Sequence, residues 1–162
     1  MKELITAEIK IILREELLAL RSRIGENMDR AEQTTTGKTK ESMQVELAGD
    51  VATATGRLIG RQAFATLETG SRPWNKQPKR VPRFFADLIG EWIDAKGLDL
   101  NKWAVAHSII RKGSSLYRSG GRADIYSPEL QKTIDRIGER IADKYAVLVT
   151  DRLIMNKTTI QV

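Results

Sequence analysis

The chain has 162 residues, one histidine, no cysteine and a formal net charge of +6, from 27 Lys+Arg against 21 Asp+Glu. Its 41% hydrophobic and 30% charged residues are enough for one folded domain and exclude disorder as the default; the absence of cysteine excludes disulfide frameworks and cysteine-based metal sites. No apolar run reaches the roughly 18 residues of a membrane span, and the opening Met1-Lys2-Glu3-Leu4-Ile5, followed by alternating charged and apolar residues, does not read as a signal peptide.

Residues 2–30 read as one long helix. Ile5, Ile9, Leu13, Leu17, Leu20, Ile24 and Met28 step by three or four along one face, and Leu4, Ile11 and Leu18 form a second apolar line. A helix apolar on two sides needs cover on two sides, so a neighbouring subunit is a candidate for the second. Gln33-Thr34-Thr35-Thr36-Gly37 ends the helix, and Lys38–Met43 reads as a short helical turn or the start of a strand. Gln44–Gly60 has β character. Gly49-Asp50 is the expected two-residue hairpin turn, and Val51–Ile59 is the returning strand. The small Ala52 and Ala54 point to close approach of another element. Gln62–Thr69 is open between a third strand and a helical turn.

Glu68-Thr69-Gly70-Ser71 makes a turn, and Arg72-Pro73 and Gln77-Pro78 impose extended geometry after it. Pro82 suits a helix start. Phe84, Phe85, Leu88, Ile89, Trp92 and Ile93 follow at helical spacing as the expected buried face, with Gly97 as the stop. Asn101 caps a second helix that buries Trp103, Ala106, Ile109 and Ile110 and stops at Gly113. Ser114–Tyr126 is a second loop. Ser127-Pro128 opens a last helix, to about Ile154, with Leu130, Ile134, Ile137, Ile141, Tyr145 and Leu148 as its apolar stripe. The expected fold is α+β: a long N-terminal helix, a small antiparallel sheet, a helical hairpin and a long C-terminal helix. These form a single domain over residues 1–155, with a basic, proline-containing loop at 70–83 and a polar tail at 156–162.

Little in the chain signals catalysis. His107 lies inside an expected helix, and no G-x-S-x-G elbow accompanies it. One histidine without cysteine does not make a zinc site of the usual kind, and no phosphate-binding P-loop is present. No enzyme activity, cofactor or metal is expected.

Charge is distributed unevenly. Between Gly56 and Arg83 the chain places Arg57, Arg61, Arg72, Lys76, Lys79, Arg80 and Arg83 against the single acid Glu68, a balance of +6 that equals the net charge of the whole chain. The remaining 20 basic and 20 acidic residues cancel. Three of the four prolines, Pro73, Pro78 and Pro82, stiffen the same stretch, and Trp74 sits among polar neighbours as an expected exposed anchor. This is the candidate contact surface. It suits an acidic protein neighbour, or nucleic acid met through phosphates and a stacked Trp74. A helix-turn-helix reading of residues 83–112 is disfavoured, because its second helix offers mainly apolar or small side chains rather than groups that read base edges.

Thr36-Gly37-Lys38-Thr39-Lys40-Glu41-Ser42-Met43, then Glu68-Thr69-Gly70-Ser71, then Pro78 and Pro82 leading into Phe84-Phe85, come in an order that resembles the small tail-completion and head–tail connector proteins of long-tailed bacteriophages. Thr39 stands where that family usually has leucine and Ser71 where it has threonine; Phe64 loosely matches the aromatic before the glutamate. The resemblance covers a little over half the chain and ends near Ile93. It implies a structural virion protein that forms closed rings, often sixfold, at the phage neck or tail end and is assembled in the host cytoplasm. The implied partners are further copies of itself, other neck and tail proteins and, facing the basic loop, either channel DNA or an acidic neighbouring ring. The alternative is a nucleic-acid-binding module that uses residues 57–83.

Overall fold

In a computed structural model of the chain, residues 2–33, 36–50 and 53–159 are described, with side chains over residues 5–150 of that set. The elements are α1 (Lys2–Arg30), α2 (Lys38–Glu41), β1 (Gln44–Ala48), β2 (Thr55–Ile59), a 3-10 turn (Gln62–Ala65), α3 (Thr66–Thr69), α4 (Arg83–Ala95), α5 (Lys102–Lys112), α6 (Ser115–Arg118) and α7 (Ser127–Thr159). This is the expected α+β class, with β1 and β2 paired as a two-stranded antiparallel sheet. The chain divides into two compact units assembled from separated stretches: Met1–Ser22, Val45–Leu58 and Glu129–Val162 form one, and Arg23–Gln44 and Ile59–Pro128 the other.

In the first unit the hairpin lies against α1. A Cβ added at Gly56 would sit 2.6 Å from Leu17 Cδ1 and 3.5 Å from Leu13 Cβ, so the close approach falls at Gly56. The expected site of approach was Ala52 and Ala54, of which residue 52 lies outside the described residues. Burial alternates along both strands, leaving Val45, Leu47, Gly56 and Leu58 half-buried and their neighbours exposed. The connection is longer than the expected two-residue turn. β2 begins at Thr55, and Asp50 Oδ1 accepts from Thr53 N at 2.9 Å and from Thr53 Oγ1 at 3.0 Å, a local side-chain turn that replaces a tight hairpin. Ion pairs join α1 to α7: Arg140 reaches Glu15 at 2.6 Å and Glu16 at 2.9 Å, and Lys144 reaches Glu8 at 3.0 Å.

The expected stripe on α7 is not a buried one. Leu130, Ile134 and Tyr145 are exposed, Ile137, Ile141 and Leu148 are half-buried, and the buried side chain is Thr133, whose hydroxyl donates to Glu129 O at 2.7 Å. The helix also continues through residues 156–159, which were expected to be tail; residues 160–162 lie outside the described set. On α1 the main apolar face is buried at Leu17 and Leu20, while Ile11 and Leu18 of the second line are exposed. Gly138 stands in the interior of α7, where an added Cβ would meet nothing within 4 Å. Replacing it with alanine should raise stability by about 0.5–1 kcal/mol, because a helix interior prefers Ala to Gly by roughly that amount. A higher urea midpoint in dilute solution checks this.

In the second unit the core gathers Ile24 and Met28 of α1, Met43, Ala86 and Ile93 of α4, Ala106 and Ile110 of α5, and Ile125. Residues 62–69, left open by the sequence, are helical turns. The helix boundaries of the α4–α5 hairpin follow the expected signals. Pro82 precedes α4, Gly97 has φ 63° just beyond it, Asn101 Oδ1 accepts from Trp103 N and Ala104 N, and Gly113 closes α5. The buried faces differ from expectation. Phe84, Leu88, Trp92 and Trp103 are all exposed by more than a third, while Ile93, Ala106 and Ile110 are buried as expected and small Ala86 joins them.

Candidate interaction surface

The basic segment begins at Gly70 and ends where α4 begins, without regular secondary structure between. Three local constraints hold it. Ser114 N donates to Ser71 O at 2.8 Å and Ser71 N donates to Ser114 Oγ at 3.0 Å, which ties its start to the loop before α6. Trp74 N donates to Ile110 O at 2.9 Å, which ties its middle to the end of α5. The Trp74 ring packs on Phe85 with centroids 5.2 Å apart and a 54° tilt.

Trp74 is therefore half-buried and not the exposed anchor expected from its polar neighbours. Trp74→Ala should cost about 1–2 kcal/mol, less than the roughly 3–5 kcal/mol of emptying a fully buried aromatic site. Thermal melting measures it.

Arg61, Arg72, Lys76, Lys79, Arg80 and Arg83 of the second unit are all exposed. Of these, Arg83 pairs with Asp87 at 3.7 Å and the charge of Arg61 acts on Glu91, while Arg72, Lys76, Lys79 and Arg80 have no ion pair among the described residues. Arg57 belongs to the first unit, on the exposed face of β2, and also has no ion pair there. Two acids of α4 are already engaged: Lys102 bonds Asp87 and Lys38 bonds Glu91, each at 2.7 Å, and each bond holds its carboxyl below the ordinary value. Neutralisation of the basic segment thus falls to something outside this set of contacts.

Behind the segment is a group whose role sequence reasoning missed. Glu68, read above as the lone acid of the stretch, is 4% exposed. Its Oε1 accepts three successive backbone N–H groups, from Ile125 at 2.9 Å, Tyr126 at 2.7 Å and Ser127 at 2.9 Å, and Ser127 Oγ donates to Oε2. The Ser127 hydroxyl, expected as a helix cap, is a donor here; the carboxylate takes the place of the cap at the start of α7, where the helix dipole favours a negative charge. Burial pushes the Glu68 carboxyl up, but the bonds from the Ser127 hydroxyl and from the Ser127, Tyr126 and Ile125 amides outweigh it and leave the group below 4.5. Phe64 stacks on Tyr126 at 5.5 Å, and Arg122 N donates to Glu68 O at 2.8 Å, so the whole Ser114–Tyr126 loop is fastened at this point. The sequence singled the residue out as one acid among seven cations and as the first residue of the Glu68-Thr69-Gly70-Ser71 turn, but neither signal gave its partners.

The exposed cations of the segment offer electrostatic contact. His107 is exposed on α5, and among the described residues no group of His, Asp and Glu side chains is placed to hold a metal ion. Among the described residues no helix is long and apolar enough to cross a membrane. No protein-family model, curated protein or solved structure matches this chain.

Proposed function

We propose that this chain is a structural virion protein that assembles with further copies of itself into a ring at the neck or tail end of a long-tailed bacteriophage, where it contacts neighbouring ring proteins. The observation that carries this reading is the segment 72–83: Arg72, Lys76, Lys79 and Arg80 are exposed, lack ion pairs with described residues and sit on a proline-stiffened stretch anchored at its start and at Trp74. Unscreened like charges repel one another, so holding them together is useful chiefly when an acidic partner arrives. The exposed lines at Ile11 and Leu18 on α1 and at Phe84, Leu88 and Trp92 on α4 add apolar area of the kind that subunit contacts cover. The order of motifs that resembles tail-completion and connector proteins supplies the particular setting.

Imaging of phage particles labelled with an antibody against this chain tests the proposal. The expected label is a single spot at the head–tail junction or at the tail end. Label spread over the capsid or along the tail, or absent from particles, overturns it. The same free cations support a second reading, a nucleic-acid-binding module. That reading requires affinity for free DNA that falls steeply as salt rises; binding that is weak already at low salt removes it.

A further inference from the structure

The chain carries two unpartnered surfaces of opposite charge. On α7, Ile134, Gly138, Ala142, Tyr145 and Val149 follow one another at intervals of four or three residues, share a face and are all exposed. Gly138 leaves a notch in that face, where an added Cβ would meet no described atom within 4 Å. A glycine there weakens the helix, and nothing among the described residues uses the space it opens. One flank of the face carries an acid row, Asp135, Glu139 and Asp143, which repeat every four residues, are exposed and form no ion pair with a described residue; the exposed Lys132, paired with Glu129, and Arg136 stand beside it. In the second unit the free cations Arg72, Lys76, Lys79 and Arg80 lead directly into α4, which exposes Phe84, Leu88 and Trp92 in a row. Phe84, at 69%, is the most exposed large apolar side chain among the described residues.

We infer that the α7 face of one copy receives the basic segment and the α4 row of a second copy, with Lys79 and Arg80 opposite Asp135 and Glu139 and Phe84 seated in the notch at Gly138. This rests on the self-assembly proposed above and names the two surfaces that perform it. Other occupants fit less well. The acid row on α7 repels both phosphate backbones and anionic lipid, and what it attracts is a surface both basic and apolar, which this chain itself supplies. Because the two surfaces differ, each copy offers one and uses the other. The contact is heterologous and propagates until it closes into a ring.

Charge reversal tests it, read by light scattering and sedimentation at low salt. The wild-type chain should associate. Lys79→Glu with Arg80→Glu should weaken association on the order of a hundredfold, and Asp135→Lys with Glu139→Lys should do the same. Mixing these two variants should restore assembly in a one-to-one ratio, since the acidic α7 face of one meets the basic segment of the other and the two reversed surfaces are complementary as well. Combining all four reversals in one chain should restore assembly. Phe84→Ser and Gly138→Leu probe the apolar half by the same readout, and each should lower association at least tenfold. Either charge-reversed variant assembling like the wild type, or a mixture that stays monomeric, overturns the inference. A wild-type chain that is monomeric at every concentration also overturns it; whether the ring reading falls as well is then decided separately by the particle imaging.

Discussion

Replacing Glu68 with alanine should destabilise the fold by about 3–5 kcal/mol, the loss expected when several buried donors lose a charged acceptor. Ile125 N, Tyr126 N and Ser127 N all converge on one carboxylate oxygen, and Ser127 Oγ uses the other. With 4% exposure at Glu68 and a fully buried Ile125, water does not readily take the place of the lost oxygens. Glu68→Gln keeps the shape and one acceptor but loses the charge, and should cost about 1–2 kcal/mol. Urea denaturation of the three proteins orders them.

The pH dependence of the same comparison has a definite sign. Folded Glu68 titrates below its ordinary 4.5, so the folded state holds its proton less tightly than the unfolded state does. The resulting stabilisation is complete above the unfolded value and is lost as pH falls through the folded one. The gap between wild type and Glu68→Gln should therefore be wide at pH 7 and narrow as the solution is acidified below about 4.5. The exposed carboxylates Asp87, Glu91 and Asp124, also held low by their cation partners, are common to both proteins and cancel in the difference. A gap that stays constant with pH would mean that the carboxylate charge contributes nothing.

Gly70→Ala should be the second severe change, costing about 3 kcal/mol or more from backbone strain and steric overlap together. Gly70 has φ 70° and ψ 175°, a combination that only glycine adopts without strain. An added Cβ would also fall 2.6 Å from Ser114 Oγ and 2.9 Å from Tyr117 Cα. The loop carrying Ser114 and Tyr117 would have to retreat, breaking the paired bonds between Ser71 and Ser114 that start the basic segment. Gly97→Ala is the matched control. Its φ is 63°, but an added Cβ meets nothing within 4 Å, so strain alone applies, at about 1 kcal/mol. A Gly70→Ala penalty no larger than that of Gly97→Ala would show that the segment is not held against the loop at this point.

These two residues show where reading the chain reaches its limit. Gly70 is legible as a turn glycine, because a turn needs little more than its neighbours. Glu68 is not legible, since its partners lie 57 to 59 residues away and nothing local announces them. The excess of positive charge between Gly56 and Arg83 can be counted directly from the sequence. That Arg72, Lys76, Lys79 and Arg80 lack ionic partners among the described residues, while Arg83 has one, depends on where Asp87 and the other acids come to rest.

Local signals were enough for the class of fold and for most helix boundaries. Asn101, Gly97 and Gly113 act through hydrogen bonds and dihedrals within a turn of themselves, and that range is contained in the sequence. Which face of each helix is buried was decided by tertiary packing. α4 and α7 carry more apolar residues than one contact can cover, so periodicity offered several faces. Packing put Ala86 and Thr133 in the interior and left Phe84, Trp92, Ile134 and Tyr145 outside, while Ile93, Ala106 and Ile110 are buried as their spacing predicts.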